Sequence, residues 1–371
     1  MKRIKILIVS KAFYPILSPR SHRATELAKE FARQGHHVTV LTNKDPEQHP
    51  IFETENNITI KDLGTPRWKS PDFGKSKTGY FMTRLFYRLL SLAFEYPSIE
   101  LMFLVNKALK RESENDLIIS IAVPYPIHWG VALSWNKKKP IANTWVADCG
   151  DPFLINPVDT FQKPFYFKYI NNWFLRKTDF VTIPAESARP GYPAKFQNKI
   201  RIIPQGFQFE GTTTHKEFIK NDIPSFAYAG GFIPKFRDPR PFLDYLSSLP
   251  DDFRFYIFTK SIDLIKPYEK KSDNKIIIMS YIERNELLTF LSKMDFLVNI
   301  DNNTNLVVPS KLIDYALTGR PILNIKKELD VMIIDQFLSG DYSQKMAIEN
   351  LAQYNISSVT KQFISLIDSN I

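Results

Sequence analysis

The chain has one cysteine, Cys149, and only six histidines among 371 residues. A single thiol excludes an intrachain disulfide and any metal site built from several cysteines, and it fits a reducing compartment. A long apolar run is missing as well. The opening KRIKILIVS places basic residues before an apolar stretch, as a signal peptide does. That stretch is only about five residues against the ~7–15 of a signal, so it reads as a buried strand. Residues 117–136 contain no Asp, Glu, Lys or Arg, but Pro124, Pro126 and His128 interrupt them. They read as strand, loop and helix rather than as a transmembrane helix. No internal repeat or low-complexity tract is present.

What is there describes an ordinary globular protein, 44% hydrophobic and 24% charged, with length enough for two domains. Lys and Arg number 49 against 39 Asp and Glu, a net charge of +10. A plain basic surface accounts for that excess, as do anionic lipid, a phosphate-bearing substrate or nucleic acid. No recognised nucleic-acid motif accompanies it and the aromatics form no stacking signature, so a nucleic-acid partner is not expected.

The first ~45 residues alternate strand, Pro-rich loop, helix and strand, with Gly35 as the helix stop, which is a βαβ unit. Strand-like runs recur at 117–121, 141–147 and 180–183. A second series runs through 226–229, 253–258, 276–279, 296–300 and 321–323. Helical patterns separate most of them, and a polar, Thr-rich stretch near 205–224 joins the two blocks. The expected class is α/β, with two doubly wound Rossmann-like domains. Two pieces break the rhythm, 68–111 and 162–177, where aromatics such as Trp68, Phe86 and Phe94 interleave with Arg84, Arg88 and Lys69. They read either as core helices with charged outer faces or as interfacial helices on anionic headgroups.

Residues that carry chemistry fall at the expected strand ends. In YAGGFIPKFRDPRPFL (228–243) a strand ends at Gly230 and Gly231, where absent side chains let backbone approach a ligand. Lys235, Arg237 and Arg240 follow, and guanidinium groups in such a loop suit a diphosphate. In VPSKLIDYALTGRPIL (308–323) Ser310, Lys311 and Asp314 sit at a helix N-terminus, where free N–H groups and the dipole favour phosphate. WVADCGDPF (145–153) puts Asp148 and Asp151 at a strand end, either capping a turn or holding substrate hydroxyls and accepting a proton. No His or third carboxylate lies nearby in sequence, so no metal is expected there. His128, in VPYPIH, and Arg20 and Arg23, in SPRSHR, sit on loops above the same sheet as candidate substrate contacts.

In order and spacing these segments resemble glycosyltransferase family 4, the group 1 sugar transferases of bacterial capsule, O-antigen and exopolysaccharide clusters. The resemblance runs over almost the whole length, from the opening strand through GHHVTVLT, VPYPIH, WVADCGDPF, PQGF and YAGGF…RDPRPFL to PSKLIDYALTGRPIL. It implies the GT-B fold, two Rossmann-like domains facing across a cleft. Residues 1–205 would bind acceptor and 206–355 nucleotide-sugar, with a helix at 356–371 packing back on the first. It implies metal-independent transfer with retention at the anomeric carbon, and no cofactor besides the donor substrate. By match, Asp314 would bind the ribose hydroxyls, Ser310, Lys311 and Arg237 the diphosphate, and Gly230 and Gly231 would lie beside it. Asp148 would take a catalytic, substrate-facing position, with Arg20, Arg23, His128 and Asp151 on the acceptor side.

The chain departs from the family pattern in three places. The first Glu of its paired acidic motif falls on Leu306, with Asn302, Asn303 and Asn305 available for sugar contacts instead. Gly150 stands where branch members often carry Arg, and Ser18, Pro19 and Arg20 replace the first loop's glycines. The implied partners are a nucleotide-sugar and a glycan or polyprenyl-diphosphate-linked acceptor, with the chain peripheral on the inner face of the cytoplasmic membrane. Two other readings compete, a nucleotide-sugar epimerase of similar fold and a catalytically silent GT-B-like glycan- or nucleotide-binding protein.

Overall fold

The computed structural model describes residues 3–69, 81–136, 140–154, 163–211, 217–233, 237–280, 282–301 and 310–368. The chain forms two compact units, one of Met1–Phe207 with Gln353–Ile371, the other of Gln208–Ala352.

The first unit runs β1 (Lys5–Ser10), α1 (Pro19–Arg33), β2 (His37–Thr42), α2 (Gln48–Asn56), β3 (Thr59–Asp62), α3 (Phe81–Phe94), α4 (Glu100–Leu109), β4 (Asn115–Ile121), α5 (Pro126–Ser134), β5 (Ala142–Asp148), α6 (Phe167–Lys177), β6 (Phe180–Ile183) and β7 (Ile200–Ile202). Its seven strands are ordered β3-β2-β1-β4-β5-β6-β7, and every pair is parallel. Strands such as KILIVS and NDLIISI are nearly continuous apolar runs because helices cover both faces of a parallel sheet. Residues 117–136 are indeed strand, loop and helix, and none of the described helices is long and apolar enough to cross a membrane. α1 begins earlier than the Pro-rich pattern suggested. Ser18 caps it by accepting from Ser21 N at 3.2 Å, and Pro19 fits the first helical position, where no N–H is needed.

The second unit runs β8 (Ser225–Ala229), α7 (Arg240–Ser248), β9 (Arg254–Phe258), α8 (Ile262–Lys271), β10 (Ile276–Met279), α9 (Arg284–Leu291), β11 (Phe296–Ile300), α10 (Ser310–Thr318), β12 (Ile322–Ile325) and α11 (Val331–Ser339). Its parallel sheet has the order β10-β9-β8-β11-β12. Strand order reverses between β8 and β11, and between β1 and β4 in the first unit. Loops leaving those strands at their carboxyl ends therefore diverge and leave room for a ligand.

A last helix, α12 (Ile356–Asp368), belongs to the first unit. Ile356, Val359, Phe363 and Leu366 join the core built on Ile6, Ile8, Leu27 and Phe31, and Gln34 Nε2 donates to Thr360 Oγ1 at 2.7 Å. Phe207 and Asn355 form a parallel bridge where the chain leaves and re-enters this unit. Gly206 suits that close approach, since a Cβ would stand 2.4 Å from Ile356 Cδ1 and 3.2 Å from its Cα.

Candidate functional site

At the switch point of the second unit lies a cavity of about 350 Å³, between the ends of β8 and β9 and the helices α9 and α10. Gly230 and Gly231 form one wall. Gly230 has φ +150°, and a Cβ on it would meet Tyr228 Oη at 3.2 Å, so glycine suits both the backbone and the space. Tyr228 Oη and Arg237 Nη1 both donate to Gly231 O, at 2.9 and 3.2 Å, which holds this turn and draws Arg237 beside it. Across the cavity Ala229 N donates to Tyr315 Oη at 2.7 Å, tying α10 to the end of β8.

Lys311, in the first turn of α10, gives the site its character. Its Nζ is buried and has no hydrogen-bond partner among the described residues; the ammonium lies over the Tyr228 ring, 4.4 Å from its centre. Burial first, then the charge of Arg237, push Lys311 down to about 7 from an ordinary 10.5, with Asp301 opposing. An amine without a partner in a cavity that also carries Lys260, next to Arg237 and a helix N-terminus, is a seat for an anion. On the same helix Asp314 is ion-paired to Arg284, whose Nη2 and Nε donate to Oδ1 at 2.6 and 3.0 Å. Ile282, Leu287 and Leu291 supply an apolar wall beside that pair, which suits the flat face of a base next to a hydroxyl-binding carboxylate.

The structure thus gathers Gly230, Gly231, Arg237, Lys311 and Asp314 in one place, and Ser310 begins α10 there. Asn305, with Asn302, Asn303, Leu306 and Lys235, lies outside the described residues. Arg284 was not foreseen. It is a lone arginine opening a helix, and only the fold carries it to Asp314.

In the first unit the candidates separate. Asp148 and Arg23, read as substrate-facing, are instead partners of each other. Arg23 Nε and Nη2 donate to the two carboxylate oxygens at 3.1 and 2.9 Å, Thr182 Oγ1 donates to Oδ1 at 2.7 Å, and both residues are only 2% exposed. Arg23 also donates to the carbonyls of Pro204 and Ile203. Burial alone would raise Asp148, but Arg23 above all, with Arg20 and Thr182, holds it below the usual carboxylate range. It is an ionised anchor tying α1, β5, β6 and the exit of β7 together.

His128 requires a correction. Its ring is wholly buried and stacked on Phe174. Trp145 Nε1 donates to Ser120 Oγ at 2.8 Å, and Ser120 in turn lies 2.8 Å from His128 Nδ1. On the other side of the ring, Nε2 lies 3.4 Å from Cys149 Sγ. Desolvation, the largest cause, pushes His128 down to about 3, so it stays neutral and serves the core. Arg20 remains partly exposed, with Nη1 3.6 Å from Asp148 Oδ2. Its guanidinium occupies the space above Gly150, where a Cβ would meet Nη2 at 2.3 Å. Asp151 is exposed, and its carbonyl accepts from Tyr125 Oη at 2.6 Å. Among the described residues no group of three His, Cys, Asp or Glu could hold a metal ion.

No family model and no curated protein matches the chain. Solved structures share its fold. HepE of Anabaena, determined with UDP and glucose, gives a TM-score of 0.61 at 12% identity over 99% of this chain and 100% of its own. TarM of S. aureus gives 0.63 at 10% identity over 99% of each chain. A protein assigned as a candidate UDP-N-acetylglucosamine 2-epimerase from Listeria monocytogenes gives 0.51 at 12% identity, over 100% of this chain and 97% of its own. At such identities the likeness establishes the architecture, the α/β fold of the GT-B glycosyltransferases. The third case links the same architecture to a different reaction, so chemistry has to be argued from the site.

Proposed function

We propose that the chain is a retaining, metal-independent glycosyltransferase. It moves a hexose-type sugar from a nucleoside diphosphate to a lipid-linked glycan in surface polysaccharide synthesis. The observation that carries this reading is the buried, unpartnered amine of Lys311 facing a cavity at the switch point, with Gly230 on one side and Arg237 on the other. A diphosphate satisfies that amine, accepts from the N–H groups of the first turn of α10 and draws on Arg237. The base lies against Ile282 and Leu287, and the ribose hydroxyls donate to Asp314.

The reaction then needs charge stabilisation on the leaving diphosphate, which Lys311, Arg237 and the α10 dipole supply without a cation. Asp148 is committed to Arg23, so the acceptor hydroxyl gives its proton to the leaving phosphate oxygen on the same face, which retains configuration. The first unit takes the acceptor, with Arg20 and Asp151 as its contacts, and the enzyme works at the inner face of the cytoplasmic membrane. HepE's UDP and glucose support a uridine nucleotide as the first donor to try.

Leu306 favours a second reading, a catalytically silent nucleotide- or glycan-binding protein, because the family's first acidic position falls on it. One experiment separates the two. The protein is melted with UDP-, GDP-, dTDP- and CMP-sugars, with and without EDTA, and then incubated with the stabilising donor and lipid-linked glycans. A rise in Tm with one nucleotide class, indifferent to EDTA, is expected, followed by a product in the donor's anomeric configuration. Stabilisation without turnover selects the silent protein, and no stabilisation by any donor removes the donor site.

A further inference from the structure

α3 is a helix of 14 residues with no buried side chain among residues 82–94. Met82, Leu85, Phe86 and Leu89 repeat at the spacing of one helical face and are 71, 41, 57 and 54% exposed. Behind the helix opens a hollow of about 620 Å³, and every residue lining it is aliphatic or aromatic, Trp68, Leu90, Phe94, Phe103 and Ile170 among them. Exposed Phe165 and Tyr169 continue the patch along the start of α6. Such a helix is anchored rather than adrift: Tyr166 donates to the Ala93 carbonyl, Lys163 pairs with Glu95, and Trp68 stacks on Tyr96 with 5.8 Å between ring centres. A contiguous apolar surface held open to water marks a docking site.

Charge identifies the occupant. α3 carries Arg84 and Arg88, both exposed, and no acidic residue, and exposed Arg67, Lys69 and Lys168 are chain neighbours of the lining residues Trp68 and Phe167. A second copy on a two-fold axis would set these cations against themselves. An anionic bilayer offsets them and takes the apolar face at the same time. We propose that α3 and the hollow behind it form the surface by which this chain sits on an anionic bilayer, α3 in the headgroup boundary and one hydrocarbon chain in the hollow. The inference deepens the proposed function and rests on it for the membrane location of the acceptor, but its test needs no turnover.

The full chain is sedimented with vesicles of phosphatidylcholine alone or mixed with phosphatidylglycerol, and Trp68 is read with acyl chains brominated. Binding should require the anionic lipid and fall with salt. Phe86→Glu with Leu89→Glu should lower it at least tenfold, and Arg84→Gln with Arg88→Gln by about fivefold per arginine. Brominated chains should quench fluorescence in the wild type, and Trp68→Phe should remove that quenching. All these positions are exposed or half-exposed, so Tm and nucleotide-sugar stabilisation should persist in each variant. Binding indifferent to lipid charge or to Phe86→Glu overturns the proposal, and bound protein with Trp68 unquenched overturns the hollow. A dimer that Phe86→Glu dissolves, without vesicle binding, assigns the surface to a second copy. With donor stabilisation intact those results sink the surface alone, whereas a wild type stabilised by no donor sinks the functional reading.

Discussion

The ammonium of Lys311 stands 4.4 Å from the centre of the Tyr228 ring, with no hydrogen-bond acceptor among the described residues. The π face and the charge of Asp301 favour the ammonium, and Arg237 repels it. With its free-state value near 7, the group is half neutral at neutral pH. A bound diphosphate stabilises the ammonium, so donor binding takes up a proton. Donor affinity should be flat below about pH 7 and fall up to tenfold per pH unit above it, as measured by calorimetry in buffers of different ionisation enthalpy. Lys311→Met should abolish the proton uptake and weaken the donor strongly. The sign reverses for stability. A lysine depressed on folding binds its proton better when unfolded, so wild-type stability should rise as pH passes from about 7 toward 10.5. Lys311→Met should lose that rise and melt higher at pH 7.

Arg284 and Asp314 act as a unit, because the guanidinium fixes the carboxylate that faces the cavity. Asp314→Ala should raise the donor Kd about tenfold or more, and Arg284→Ala should weaken the donor too, although the arginine was not expected in the site. A double-mutant cycle should return a coupling on the order of 1 kcal/mol. Additive effects would disconnect the pair, and an unchanged Kd for Asp314→Ala would remove that residue from the ribose.

Arg237 is half-buried and bonded to the Gly231 carbonyl, so it is held in place before any ligand arrives. Arg237→Ala should cut kcat/KM by roughly 100-fold, in keeping with the ~2–4 kcal/mol of one transition-state charge contact. Initial rates at varied donor concentration decide it. Rates like those of the wild type would place the diphosphate elsewhere.

The Asp148–Arg23 pair is predicted to govern stability. Arg23→Met leaves a buried carboxylate alone, and breaking such a pair costs about 3–5 kcal/mol, so Tm should drop by several degrees. Asp148→Asn with Arg23→Met together should lose less than Arg23→Met alone. Because Asp148 is depressed on folding, its contribution is present above its unfolded value of about 3.8 and is lost as pH falls through the lower folded value. Melting curves from pH 5 downward should show that loss, and the double variant should lack it.

Much of this was legible in the sequence. Apolar runs such as ILIV and LIIS and the stops at Gly35 and Gly319 mark two wound α/β blocks, because parallel strands are buried on both faces and helices must end between them. Gly230, Lys311 and Asp314 announced themselves through local chemistry, a bare turn and a helix start, and local chemistry survives folding. What sequence position does not carry is direction. His128 lies on the expected loop and helix, yet its ring turns into the core toward Ser120 and Cys149. Arg23 and Asp148 are 125 positions apart, and nothing short of the fold marks them as a pair. Arg284 eluded the pattern for the same reason, since its significance rests on a partner 30 residues away on another helix.

The place of α12 in the first unit bears on how the chain comes to be folded at all. Ile356, Val359, Phe363 and Leu366 complete a core whose other members lie within the first 203 residues. As the protein is made, that core waits with α1 uncovered while the whole of the second unit emerges and winds its own contiguous sheet. The later-synthesised unit can therefore finish first, and the earlier one stays aggregation-prone until its final helix arrives. Truncation before Ile356 should leave a folded second unit attached to a sticky, incomplete first one.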